Sequence, residues 1–420
     1  MNKVSIIIPI IRPDGARRCI EAIKKNAGIP MDQYEIVQKL DWGVGCPEMV
    51  RQLTEKTKYD LVMFLGDDTE PQDGFLKAAV DEMSKLPDGW GVVGLNTEDP
   101  NGSNPLAHWL AHKKMLEHIP GGAFFSTDYN HCWGDNELKD IADELGRWAY
   151  AEDSRIKHNH PINKSAEWDE GYSKAYSEKA KIHDYKAYLR RKKDRMKSKH
   201  GIRLAIAEPL TDNMVYSHFH FSSVRVITNY LLHLFKNNQS VHIDFLAPKY
   251  PDQIDAIRNG LVQQAQHFGC THILFMDTDQ VYNDFDMIQR MLSHDKPVVG
   301  AKIHRRYPPF DPLLLRGDPG GLYSVPDEEI QAGGLVEVGA TGCGCILYDM
   351  DIFLKLDHPW FELTVGEFGQ PIGEDVCFCE KLKKAGHKIY VDCSIDIKHL
   401  SLLAVDWGTY KLFKKLKGVG

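Results

Sequence analysis

A chain of 420 residues with 43% hydrophobic content is long enough to bury more than one core. A formal net charge of -8 excludes a uniformly basic nucleic-acid binder, and nine scattered cysteines, closely spaced only at i, i+2, give neither zinc-finger spacing nor a disulfide framework. No apolar run reaches the ~20 residues of a membrane span, and the start lacks a signal peptide's basic-then-apolar order, so a cytoplasmic chain with reduced thiols is expected.

In chain order, the pattern predicts a buried β-branched strand over 4–10, a helix over 17–27, a strand over 34–37, a helix over 49–58 and a strand ending at 65. Strand and helix alternating at this spacing is the βαβ pattern of a parallel sheet covered on both faces. A helix over 74–83 and a strand over 91–95 follow. Residues 96–132 read as loop-rich, with His108, Trp109, His112 and His118 either lining an acceptor cleft or simply packed. Residues 161–200 hold twelve Lys or Arg against six Asp or Glu, and 172–196 favours a helix with Tyr172, Tyr176, Ile182, Tyr185 and Leu189 as a loose apolar stripe. This is either a solvated connector packed by its tyrosines on one domain or an electrostatic dock for a polyanion.

The chain then restarts with a strand over 202–207, a helix over 221–235, a strand over 241–245, a helix opened by Arg258 and a strand from 273 to 276. The glycine loop 339–344 lets backbone approach a sugar or phosphate, or is a plain tight turn before the strand 345–348. Trp360 and Phe361 suit either a stacking surface or a core. The lysine-rich amphipathic tail 402–420 suits a lid or a membrane surface.

Asp277-Thr278-Asp279 follows the apolar run Ile273 to Met276, and carboxylates at i and i+2 project to one side of an extended chain. They either hold a divalent cation or form a solvated turn. An earlier segment repeats the phrase: aligning Phe64 with Phe275 puts Asp68 on Asp279 and Gly66 on Asp277. Val92-Val93-Gly94 answers Val298-Val299-Gly300. Gly134-Asp135-Asn136-Glu137 answers Gly373-Glu374-Asp375, and each half closes on Lys-His, at 157–158 and 398–399. Companions in the same order twice imply a duplication of domain size.

These motifs, from Ser5-Ile6-Ile7-Ile8-Pro9 through Phe64-Leu65-Gly66-Asp67-Asp68 to the second half's Asp-Thr-Asp, glycine loop and Gly373-Glu374-Asp375, resemble nucleotide-sugar glycosyltransferases of the GT-A fold, family-2-like. The resemblance implies an α/β protein of two GT-A-like, Rossmann-like domains with mostly parallel sheets, at 1–160 and 201–420, joined by the basic helical connector 161–200. It implies Mn²⁺ or Mg²⁺ as cofactor and a nucleoside-diphosphate sugar as donor, with an acceptor that is a glycan or, through the connector, DNA carrying hydroxymethylated bases. In the second half Asp279 and His399 are the implied metal ligands, and Asp277 contacts ribose or metal. Asp375 is the general base, with Glu374 binding sugar and Arg258, Gly342 and Gly344 near the phosphates; a cap of the following helix is the alternative role of Glu374-Asp375, and pairing with a surface acid that of Arg258. In the first half the matched set is Asp67, Asp68 and His158 for metal, with His160 as substitute, Asp135 for base and Asp41 for the nucleotide. Gly66 stands in place of Asp277, and no arginine matches Arg258. The alternatives are a domain that binds nucleotide sugar without chemistry, and a metal-dependent nucleotidyltransferase.

Overall fold

The computed structural model describes residues 3–97, 106–212, 214–317, 321–366, 369–402 and 405–417. Contacts divide the chain into two compact units, 1–192 and 193–420. In the first unit β1 (Val4–Ile10), α1 (Pro13–Asn26), β2 (Tyr34–Leu40), α2 (Cys46–Thr54), β3 (Leu61–Phe64), β4 (Thr69–Pro71), α3 (Phe75–Lys85), β5 (Val92–Asn96), β6 (Trp109–His112), α4 (Gly134–Glu144) and β7 (Trp148–His158) precede α5 (Glu170–Ala175) and the start of α6 (Glu178–His200), whose last residues, 193–200, fall in the second unit. The sheet order is β2-β1-β3-β6-β5-β7-β4. Five strands run one way; β6 and β4 oppose them.

The second unit contains β8 (Leu204–Ala207), α7 (Ser217–Lys236), β9 (Ile243–Leu246), α8 (Ile254–Phe268), β10 (His272–Met276), β11 (Gln280–Val281), α9 (Met287–Ser293), β12 (Val298–Lys302), β13 (Leu314–Arg316), β14 (Tyr323–Ser324), α10 (Asp327–Ala332), β15 (Leu335–Val338), β16 (Ala340–Thr341) and β17 (Cys345–Asp349). It continues through α11 (Asp351–Lys355), β18 (Thr364–Val365), β19 (Pro371–Ile372), α12 (Glu374–Lys384), β20 (Ile389–Asp396), β21 (Lys398–His399) and α13 (Trp407–Leu416). Its main sheet, β15-β20-β12-β17-β10-β8-β9, reverses into the first unit's order for six strands. Only the last edge differs: β4 joins β7 within the first sheet, whereas β11 and β21 pair apart and β15 covers β20.

Apolar runs without alternation made both central strands, because strands covered on two faces bury every side chain. Val4, Ile6, Ile7 and Ile8 are fully buried, as are Ile273, Leu274, Phe275 and Met276. The alignment of Phe64 with Phe275 holds in register, since Ile7 lies beside Phe64 and Ala207 beside Phe275. β6 was hidden in the segment expected to be loop. Its four residues, Trp-Leu-Ala-His, are too few for periodicity, yet they fill the middle of the sheet between β3 and β5.

The segment expected as a connector packs on the first unit. Tyr172, Tyr188 and Leu189 are buried, and the basic side chains turn inward: Arg191 pairs with Glu137 and Asp128, Arg190 with Asp128 and Lys192 with Asp140. Asp184 is the anchor. Its carboxylate accepts the backbone N–H groups of Asn130, His131 and Cys132, each at 2.8 Å. A buried carboxylate holding three amides leaves all three unsatisfied when removed. Asp184→Ala is expected to cost about 3 kcal/mol of the first unit's stability in urea unfolding followed by tryptophan fluorescence, against less than about 0.5 kcal/mol for exposed Glu178→Ala.

Candidate functional site

Where β3 ends, the chain turns and re-pairs as β4, antiparallel to β7, with Thr69 opposite His158. Asp68, one residue before that pairing, therefore faces His158, with Oδ2 3.5 Å from Nε2. Asp68, His108 and His158 each offer a ligand atom, and these atoms lie within 4.8 Å of one another. Burial would raise the Asp68 carboxyl, but His158, the Tyr172 hydroxyl at 2.6 Å and His108 bring it below the ordinary range. His108, just before β6, is buried with neither ring nitrogen partnered among the described residues, and burial lowers its pKa to about 3, keeping the ring neutral. A neutral imidazole, an imidazole at hydrogen-bond range and an ionised carboxylate form a donor set that fits a divalent ion.

The cluster opens into a cavity of about 620 Å³ lined also by Asp41, Asp135, Trp133, Tyr176 and Tyr185. The last two come from the expected connector. Asp135 sits in the first turn of α4, where a helix N-terminus favours the ionised form. Asp41 lines the cavity, but its carboxylate is occupied by the N–H groups of Gly43, Val44 and Gly45. That makes it the staple of its own turn.

Asp67 points the other way. It sits with Asp68 in the turn between β3 and β4, and its Oδ2 accepts the N–H groups of Ile11 (2.6 Å) and Arg12 (2.5 Å) while Oδ1 meets the Arg12 guanidinium at 3.1 Å. It clamps the loop after β1 and is outside the ligand set. His160 packs beside His158, and its Nδ1 accepts the N–H of Ile162.

In the second unit β11 pairs with β21 so that Gln280 lies opposite His399. Asp279, again one residue earlier, has Oδ2 3.2 Å from His399 Nε2. The His399 ring is fixed from behind by the carbonyl of His304 at 2.7 Å. Arg306 also pairs with Asp279, so here the acid carries a cationic partner from the loop after β12.

Asp277 was expected at ribose or metal, and Arg258 at phosphate. Instead they are joined: Arg258 is 2% exposed, reaches both Asp277 oxygens at 3.0 and 3.1 Å, and meets Glu374 at 3.3 Å. Burial would lower the guanidinium pKa, but the carboxylates of Asp277 and Glu374 hold it above its ordinary value. Burial also raises the Asp277 carboxyl despite Arg258. Asp375 lies in the first turn of α12, the counterpart of Asp135, with Oδ1 accepting the Val376 N–H at 2.7 Å. Burial first and the neighbouring Glu374 second push its carboxyl up to about 6.

The glycines divide. A Cβ on Gly342 would come 3.6 Å from Asp375 Oδ2 and 2.8 Å from Ile303, so this glycine lies beside the carboxylate. At Gly344 a Cβ would lie 2.3 Å from the Gln280 amide, so that glycine admits a side chain of its own fold. Trp360 and Phe361 are core residues. The tail forms α13, with Trp407, Phe413 and Leu416 exposed.

No family model matches the chain, and no curated protein sequence does. The solved structures it is similar to include three at low identity. GalNAc-T7, crystallised with UDP, GalNAc and Mn²⁺, aligns at 12% identity and a TM-score of 0.33 over 52% of this chain and 48% of that one. S. aureus TarS 1-349 aligns at 11% and 0.32 over 47% and 80%, and A197 from STIV at 15% and 0.28 over 49% and 97%.

Arg258 neutralises two acids in a dry pocket, and removing one partner of such a group strands the rest. Arg258→Met is expected to destabilise the second unit by about 3–5 kcal/mol in denaturant unfolding. Unchanged stability would mean that Asp277 and Glu374 are solvated without it.

Proposed function

We propose that the chain is a tandem, metal-dependent glycosyltransferase that moves sugar from a nucleoside-diphosphate sugar to an acceptor hydroxyl, with one reaction centre in each unit. One observation carries this reading: a strand-end carboxylate faces an imidazole from the closing strand in the same register twice, Asp68 with His158 and Asp279 with His399. Such a pair at the end of a parallel strand is a natural seat for a divalent ion and a diphosphate.

Asp68 with His158, and Asp279 with His399, would hold the ion. When bound, the ion supplies positive charge against the departing diphosphate. Asp135 and Asp375, each at a helix N-terminus, accept the proton of the acceptor hydroxyl on a carboxylate oxygen. The acceptor class this reading favours is a glycan hydroxyl, because aromatic rings line the first unit's cavity and stack on sugar faces.

A second reading has its own support. Arg306 places a guanidinium on Asp279, so the second unit can balance a diphosphate without an ion and serve as a binding domain. Product analysis separates both from nucleotidyl transfer, which releases pyrophosphate.

With Mn²⁺ and a panel of nucleotide sugars, Asp68→Ala and Asp279→Ala are each expected to slow nucleoside diphosphate release from their own unit by roughly 10²–10³-fold. A double variant that releases at the wild-type rate would end the proposal, and loss in only one variant would assign the other unit to binding.

Asp375 adds a pH signature. A base works deprotonated, so with its carboxyl raised to about 6 the second unit's kcat/KM should fall as pH drops below about 6, and Asp375→Asn should remove that limb along with most activity. The same shift means the folded chain binds this proton more tightly than the unfolded chain. Its stabilising contribution is therefore full below the ordinary carboxylate pKa and lost as pH rises through about 6.

A further inference from the structure

We propose that the first unit seats its divalent ion on three side chains, Asp68, His108 and His158, with His108 replacing the carboxylate found at Asp277 in the second unit, and that this set selects Mn²⁺, Co²⁺ or Zn²⁺ over Mg²⁺. The inference deepens the transferase reading by naming the ion's class and a ligand that the repeated motifs do not contain.

The two halves trade residues across the same pair of strands. Phe64 lies opposite Trp109 and Phe275 opposite Ile346, so one step further His108 answers Cys345, and two residues past the phenylalanines Gly66 answers Asp277. The two positions crowd each other. A Cβ on Gly66 would lie 2.5 Å from Asp68 Oδ1 and 3.3 Å from His108 Cε1, so a side chain there would displace the Asp68 carboxylate and press on the His108 ring.

His108 is 3% exposed, and both ring nitrogens lack a partner among the described residues. Buried polar groups are normally satisfied, and an exception calls for a ligand or ion. Its ring meets that of His158 edge to face, with centroids 4.7 Å apart. The ligand atoms of Asp68, His108 and His158 lie within 4.8 Å of one another, close enough to share one ion. Two imidazole nitrogens and one carboxylate suit borderline transition ions, whereas Mg²⁺ demands oxygen ligands and retains its waters. The second unit offers one imidazole, His399, and an acid already paired with Arg306.

The experiment uses the full chain carrying Asp279→Asn and His399→Ala, so that binding reports the first unit. Co²⁺ is titrated by visible absorption and calorimetry, Mg²⁺ by calorimetry, and Mn²⁺-loaded protein is examined by electron spin echo for nitrogen couplings. The expected result is one Co²⁺ per chain, two coupled imidazoles on Mn²⁺, and Co²⁺ affinity reduced roughly tenfold or more by His108→Ala. Mg²⁺ should bind more weakly than Co²⁺ and change little in that variant. Equal Co²⁺ affinity with and without His108, or a single coupled imidazole, would overturn the proposal; the nitrogen count decides even where His108→Ala does not fold. No donor sugar is present in these measurements, so a failure to release nucleoside diphosphate would count against the transferase reading and not against this ion site.

Discussion

The interaction on which both units depend is a register, one residue deep. A short strand, β4 or β11, pairs antiparallel with the end of the chain's own domain, and the turn just before it sets an acid against the histidine of that pairing. Backbone hydrogen bonds set this geometry, and the side chains inherit it. Asp68 and His158, and Asp279 and His399, are separated by 90 and 120 residues in sequence, yet each pair is within 3.5 Å. Asp67, in the same turn as Asp68, is instead held by the N–H groups of Ile11 and Arg12.

Around this shared register the units solve the electrostatics differently. The first uses neutral rings: His108 is buried uncharged, and Tyr172 donates a hydroxyl to Asp68. The second gathers four acids, Asp277, Asp279, Glu374 and Asp375, and answers them with Arg258 and Arg306. Arg258 satisfies Asp277 and Glu374 but not Asp375, which is left to burial and to its helix N-terminus, and burial wins. Burial and the neighbouring Glu374 thus raise the Asp375 carboxyl to about 6.

Much of this was legible in the amino acids because the chain says it twice. The apolar runs gave the central strands, and matching Phe64 to Phe275 put Asp68 on Asp279, a strand alignment that holds in register; Asp67, expected beside it at the metal, is held instead by the N–H groups of Ile11 and Arg12. Less visible was anything whose meaning depends on a distant partner. β6 is four residues long and shows no alternation, so only its neighbours on both sides make it a strand. Arg258 looked like a phosphate ligand because an arginine's charge is apparent in sequence and its burial is not. The basic run of α6 looked solvated for the same reason; its partners Asp128, Glu137 and Asp140 lie roughly fifty residues away.

His108 belongs to that second group, and it shows what duplication can conceal. Comparing the halves position by position marks Gly66 as a missing acid, which suggests a weakened site. The comparison cannot show that the space was filled from a different strand, because compensation across a sheet preserves a location in space and not a position in the repeat. Tyr172 makes the same point from the connector side. Its ring lies 3.7 Å from the Arg12 guanidinium and its hydroxyl reaches Asp68, so the helix α5 is tied both to the loop that Asp67 clamps and to the acid in the ligand set. An ion drawing on Asp68 Oδ2 must compete with that hydroxyl, whereas Oδ1, which faces the gap left by Gly66, is clear of it. The glycine thus keeps one carboxylate oxygen accessible beside the His108 ring, and the apparent defect in the first motif is what makes its alternative ligand set possible.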